Sequence, residues 1–170
     1  MWLDLKIPRE MYRQGIDLCK KNVLDYLDEA ETIAQKGHLQ HAYVLVQLGI
    51  EETGKIVWLR EEQQKNTADP VCVPNVIFGK DGGKSHRKKH EKALTVLNPE
   101  LLWVRKGPFD PAVFAAGIFD VGREASPETR LLNAYVGFDD SSKRWFLGCE
   151  IDRSKLDSLV NHLRQVVSTL

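Results

Sequence analysis

The chain has 170 residues, of which 42% are hydrophobic, a length and composition typical of one globular domain with a single core. Its 24 basic and 24 acidic residues give a formal net charge of zero, so no overall field would draw it to nucleic acid or a membrane surface. Any charged partner must therefore be held by local charge.

The three cysteines, Cys19, Cys72 and Cys149, lie far apart and lack the C-x-x-C spacing of a structural zinc site. They are typical of thiols in a reducing compartment. No stretch approaches the roughly 20 apolar residues of a membrane span, and the chain starts without a secretory apolar region. We therefore expect a cytoplasmic protein that does not enter a membrane and needs no cofactor.

Two long helices open the chain. In residues 9–36 the apolar positions recur every three or four residues, which predicts an amphipathic helix that Gly37 closes. A second helix is predicted over residues 39–64, and the short connection favours an antiparallel hairpin. The apolar positions of the first helix are Ile16, Cys19, Val23, Leu27, Ala30 and Ile33.

The middle of the chain is less regular. Prolines and glycines predict a long loop over residues 66–83. A third helix is expected over residues 86–97, capped by Ser85, and another over residues 111–123 after Pro111.

The period then changes. Aromatic and β-branched residues on either side of Asp139 and Asp140 predict a β-hairpin within residues 134–151. A last helix over residues 155–169, capped by Asp152 or Ser154, has one apolar stripe. The prediction is a mainly α fold, a single domain built as an up-and-down helical bundle with a small β-hairpin before the C-terminal helix.

The second helix contains adjacent acidic residues. At about 100° per residue, Glu51 lies on the polar side, four residues before Lys55, where the two form an ordinary surface ion pair. Glu52 instead falls among Leu45, Leu48 and neighbouring apolar positions, where a carboxylate needs a partner. The alternative is that Glu52 lies at the edge of the packed face and extends to water.

Apolar residues also occur on the polar side of this helix. Val44 and Trp58 lie there, so the helix is apolar nearly all round. Such a helix is either central to the bundle or part of a subunit interface.

The third helix carries two histidines on its inner face. His86 and His90 lie with Ala93 and Leu97, whereas Lys89 lies at the margin of that face. Histidines at the core edge that bond to backbone or water are an equally common arrangement. A metal site is disfavoured, because the i, i+4 pair lacks the central glutamate of H-E-x-x-H and is surrounded by cations.

The most basic window of the chain coincides with this helix. Residues 80–92 hold six basic residues against Asp81 and Glu91. The pattern suits phosphate binding and a solvated helix face alike. The candidate substrate-binding residues are Lys84, Arg87, Lys88 and Lys92.

In this order the motifs resemble the AbiV-type abortive-infection family, a branch of the HEPN helical domains. The resemblance rests on three segments between Ile16 and Trp145, each weak alone. They are Glu51-Glu52-Thr53-Gly54-Lys55 at the end of a helical hairpin, His86-Arg87-Lys88-Lys89, and Arg130 ahead of Tyr135-Val136.

The resemblance implies a bacterial antiphage effector, commonly a homodimer, in a superfamily that contains metal-independent ribonucleases. It implies proton transfer by His86 and His90, phosphate neutralisation by Lys89 and Arg130, and orientation by Glu52 and Lys55. The ribonuclease members typically separate an arginine from a histidine by four to six residues, whereas Arg87 and His90 have two between them.

Three interpretations remain open. In the first, the chain acts on RNA or translation. In the second, it is a non-catalytic module whose Val44 and Trp58 side binds a subunit or a phage protein. In the third, Glu52, Lys55, His86 and Lys89 form a buried polar network that only fixes helix register.

Overall fold

The computed structural model describes residues 5–78, 83–97, 136–139, 144–147 and 152–170. Within these ranges the chain is mainly helical, and a small two-stranded hairpin precedes the last helix, so the predicted fold class is confirmed. The helices are α1 (Arg9–Gln35), α2 (Leu39–Lys65), α3 (Gly83–Leu97) and α4 (Arg153–Thr169). The strands are β1 (Leu5–Ile7), β2 (Val71–Val73), β3 (Val136–Asp139) and β4 (Arg144–Leu147).

A glycine turn joins α1 to α2. Gly37 has φ of 85°, a left-handed conformation that glycine adopts without a Cβ clash. Its backbone N–H donates to the carbonyl of Ala34, and that of His38 donates to Ile33. These bonds end α1 and reverse the chain, so that α2 packs along α1 as the predicted antiparallel hairpin.

Helix α2 is the central element of the described fold. It packs against α1, α3 and α4, and its buried residues occur on nearly every side. Trp58, at 8% exposure, is buried by this chain's own residues. The helix is apolar all round because it is surrounded within the protein, so Trp58 offers no exposed aromatic surface to a subunit or phage protein.

The predicted loop over residues 66–83 is partly wrong, because it contains regular structure. Strand β2 pairs antiparallel with β1, Leu5 opposite Val73, and a 3₁₀ turn covers Asn75–Phe78. Helix α3 starts at Gly83, so Ser85 lies inside the helix and does not cap it. The β1–β2 ladder is too short to have shown an alternating pattern.

Hydrogen bonds cap the C-terminal helix and join it to the ends of α1 and α3. Asp152 Oδ1 accepts hydrogen bonds from the backbone N–H of Ser154 (2.7 Å) and Lys155 (3.2 Å), the arrangement of an N-cap. The side chain of Arg153 donates to the carbonyl of Ala34 at the end of α1, and His162 Nε2 bonds the carbonyl of Leu97 at the end of α3. Helix α4 thus provides hydrogen-bond partners for carbonyls at the ends of two other helices, and it also packs against the core.

Two further predictions concern the second half of the chain. Strands β3 and β4 pair antiparallel from Val136 opposite Leu147 to Asp139 opposite Arg144, inside the predicted hairpin. The helix predicted over residues 111–123 lies outside the described residues. None of the described helices has the length and apolar character needed to cross a membrane.

Helices α2 and α3 touch through their backbones at Gly54. A Cβ atom built on Gly54 would lie 1.8 Å from the carbonyl oxygen of Lys89, far inside any permitted contact. Only a residue without a side chain allows the helices to approach this closely. The contact fixes the separation of the two helices that carry the acidic pair and the histidines.

Replacing Gly54 with alanine should therefore destabilise the protein by about 1 to 3 kcal/mol, because the clash forces α3 away and exceeds the gain in helix propensity. Denaturant unfolding would measure the change. Gly15→Ala in α1 is the matched control, since nothing lies within 4 Å of its added Cβ. That variant should gain up to about 1 kcal/mol. Equal effects of the two substitutions would contradict the close backbone contact.

Candidate functional site

A carboxylate of α2 holds both histidines of α3. Glu51 Oε2 lies 2.6 Å from His86 Nδ1, and Glu51 Oε1 lies 3.4 Å from His90 Nε2. The histidines are four residues apart, so one turn of helix presents both rings to the same side chain. The two oxygens of one carboxylate thus engage one ring each.

The electrostatics of this cluster favour an ionised Glu51. Burial raises the pKa of its carboxyl group, but hydrogen bonds from His90 and His86, and their charges, more than offset burial and hold the pKa at about 2, against an ordinary 4.5. An ionised carboxylate only accepts hydrogen bonds. The nitrogens that face it, His86 Nδ1 and His90 Nε2, therefore carry protons.

The two histidines differ in access to solvent. The side chain of His86 is 29% exposed, and its second nitrogen, Nε2, makes no hydrogen bond within the described part of the chain. The side chain of His90 is 7% exposed, and its Nδ1 is buried with no partner among the described residues. His86 can exchange a proton with a bound molecule at Nε2, whereas His90 is placed to hold Glu51.

The partners expected for Glu51 and Glu52 are wrong. Glu52 makes no hydrogen bond to either histidine among the described residues; it pairs with Lys55 at 2.6 Å, and the two side chains are 16% exposed. Lys55 was expected to pair with Glu51. Adjacent helical residues point about 100° apart, so Glu51 faces α3 while Glu52 faces α1.

On the α1 side, Glu52 and Lys55 line a cleft with Cys19. Burial, then the charge of Glu52, raises the pKa of the Cys19 thiol to about 12, with Lys55 and Lys89 acting in the opposite direction. Cys19 is therefore a protonated thiol at neutral pH and a poor nucleophile. The cluster is a packed ion pair beside a thiol, separate from the histidine cluster.

The basic residues of α3 divide into distinct environments. Lys88 is exposed, Lys89 is buried at 5% exposure, and Lys92 pairs with Glu61 of α2. Lys84 and Arg87 lie within α3. The remaining site residue expected from the sequence, Arg130, lies outside the described residues.

In the described ranges, no group of three or more histidine, cysteine or acidic side chains is arranged to hold a metal ion. Each histidine nitrogen that faces Glu51 is occupied by the hydrogen bond to it. The chemistry that this arrangement allows is proton transfer at His86, with Glu51 fixing the orientation of the ring.

Sequence reasoning missed Glu51. The sequence feature that could have indicated it is a pair of polar residues, Gln47 and Glu51, four positions apart on one face of α2. Both are buried, at 1% and 6% exposure. On a helix surrounded by other helices, a polar stripe of this kind marks a buried network as well as a surface.

The pH dependence of stability tests the Glu51 cluster. Because the folded pKa is depressed, the contribution of Glu51 is complete above about pH 4.5 and is lost as pH falls towards about 2. At about 1.4 kcal/mol per pH unit, it amounts to at most about 3 kcal/mol. Glu51→Gln should be less stable than the unmodified protein at pH 5, and the difference should shrink by pH 2.

Denaturant unfolding at a series of pH values would measure this convergence. Glu29→Gln, at an exposed position of α1, supplies the same change of charge at the surface. A constant difference between the unmodified protein and Glu51→Gln across this range would show that Glu51 is not held ionised by the histidines.

Comparison with protein families gives a match for this chain. The HEPN-type family model AbiV matches residues 11–164, which include most of α1, all of α2 and α3, and most of α4. No curated protein and no solved structure matches the chain. Since the model covers well over half of the sequence, the chain belongs to the AbiV family of HEPN domains.

Proposed function

We propose that this protein is an antiphage abortive-infection effector that cleaves RNA without a metal ion, with His86 as the proton-transfer residue. The observation that carries the proposal is the hydrogen bond of 2.6 Å from His86 Nδ1 to the buried Glu51 carboxylate. A carboxylate behind an imidazole fixes its tautomer and orientation, and it stabilises the imidazolium that forms during catalysis. The family assignment supports the defence role.

The reaction needs one base at the attacking oxygen. His86 Nε2 takes the proton of a ribose 2′-hydroxyl, and the 2′ oxygen attacks the adjacent phosphorus. The bond from phosphorus to the 5′ oxygen breaks, and the imidazolium returns the proton to that oxygen. The products are a 2′,3′-cyclic phosphate and a 5′-hydroxyl.

Charge on the pentacoordinate phosphorus needs cations nearby. Lys88 is exposed and has no partner among the described side chains, so it can contact a phosphate of the bound RNA, but it lies about 200° around α3 from His86 and does not face the reacting phosphorus. Lys92 is engaged by Glu61, which reduces its value for phosphate. Lys84, Arg87 and Arg130 keep their proposed role in phosphate binding.

Two isosteric substitutions separate catalysis from structure. In His86→Asn the side-chain amide can still donate to Glu51 but cannot act as a base at neutral pH. We expect RNA cleavage in the presence of a chelator to fall at least about 100-fold, with the melting temperature nearly unchanged. His90→Gln keeps a donor near the position of Nε2 and should retain cleavage within about tenfold.

His41→Asn is the control, because His41 is an exposed histidine near the start of α2. A substrate with a 2′-deoxyribose at the cleaved position should resist the unmodified protein. Full cleavage by His86→Asn would refute the catalytic assignment. Intact RNA with the unmodified protein, together with a large loss of stability in Glu51→Gln, would favour a network that only fixes the helices.

A non-catalytic binding module has one specific observation in its favour. Met11 and Leu18, seven residues apart on α1, are 50% and 59% exposed and share one face. Substituting both with glutamine would abolish capture of a partner or phage protein in that case, and RNA would stay intact. Loss of defence in His86→Asn with normal capture would favour the ribonuclease.

A further inference from the structure

A basic cleft lies between the start of α1 and the end of α2. Its volume is about 460 Å³, and buried Ile16 lies among its lining residues. We name it the hairpin cleft. The polar residues that line it are Arg13, Asp17, Lys20, Arg60, Gln63 and Gln64.

The cations of the hairpin cleft differ from others on the same two helices. Within the described structure Arg13, Lys20 and Arg60 make no hydrogen bond or ion pair, although Asp17 lies in the same cleft. By contrast, Arg9 donates to the carbonyls of Asn66 and Gln63, and Lys21 pairs with Asp25. Three cations against one carboxylate leave an excess of two positive charges with no partner in the described part of the chain.

The donor types indicate which anion suits the cleft. Guanidinium, ammonium and glutamine amide groups are the donors that proteins direct at phosphate oxygens. Of the described residues that line the cleft none is aromatic, so bases have no ring on which to stack. The cleft therefore suits a nucleic-acid backbone, contacted without regard to sequence.

The cleft is separate from the histidine cluster. Arg60 follows Glu51 by nine residues along α2, which places it about 14 Å further along the axis and on the opposite side of the helix. A ligand at the cleft does not compete with one at His86. Because the net charge of the chain is zero, binding there depends on these local cations and not on an overall field.

We propose that the hairpin cleft binds the phosphodiester backbone of single-stranded RNA, with Arg13, Lys20 and Arg60 neutralising phosphates and Gln63 and Gln64 donating to their oxygens. The choice of RNA over other polyanions rests on the proposed function. The cleft retains the RNA chain on the protein while a separate segment of it reaches His86.

Fluorescence anisotropy with a labelled single-stranded RNA of twelve nucleotides tests this proposal. The protein carries His86→Asn, which prevents cleavage and makes failure of binding distinguishable from failure of catalysis. Binding should weaken about 18-fold between 50 and 200 mM salt, as expected for three phosphate contacts to a single strand. The combination of Arg13→Gln, Lys20→Gln and Arg60→Gln should weaken binding at least about tenfold at the lower salt and flatten the salt dependence.

A matched control removes three positive charges elsewhere. Lys21→Gln, Lys65→Gln and Lys155→Gln give the same net charge at exposed positions outside the cleft and should leave affinity within about twofold. Arg13→Lys with Arg60→Lys keeps the charge and should retain most of the binding, which guards against misfolding of the glutamine variant.

Equal weakening by the cleft variant and the control variant would overturn the proposal, since it would make binding a matter of overall charge. Full competition by equimolar inorganic phosphate would also overturn it, because it would show a site for a free anion and not for a chain. When the three cleft substitutions are made in protein that retains His86, cleavage that stays normal at saturating RNA but fails at low RNA would support it.

Discussion

The interaction on which the described structure depends is one carboxylate shared by two imidazoles. Glu51 is buried, so its charge has to be compensated within the protein, and the rings of His86 and His90 do so from a single turn of α3. The same bonds fix both rings relative to α2. The contact that makes the buried charge tolerable is thus also the one that orients the proposed base, so only isosteric substitutions can separate its effect on stability from its effect on the proposed chemistry.

Much of the fold could be predicted from the sequence because α1 and α4 each have one apolar side. The stripes of α1 and α4 and the glycine that closes α1 have direct counterparts in the structure. The pairing of β1 with β2 could not be predicted, because three-residue strands carry no readable period.

The candidate site was harder to predict for a related reason. Helix α2 is buried on nearly all sides, so apolar residues do not mark the face that meets α3. Glu51 and Glu52 are neighbours in sequence, and an error of one position exchanges a histidine partner for a lysine partner. The histidines were correctly placed on the inner face of α3, where one apolar stripe exists. Which of them reaches solvent depends on the depth of packing, which the periodicity does not report.

The backbone contact at Gly54 has a mechanical consequence. Because the carbonyl of Lys89 occupies the space of the missing side chain, a slide of α3 along α2 would carry that oxygen out of the gap at Gly54 and against side chains on the same face of α2. Two helices joined by side chains alone can tolerate small slips, since rotamers adjust. Here the main-chain contact at Gly54 fixes the position of α3 along α2. The two histidines can therefore reach the Glu51 carboxylate in one register only.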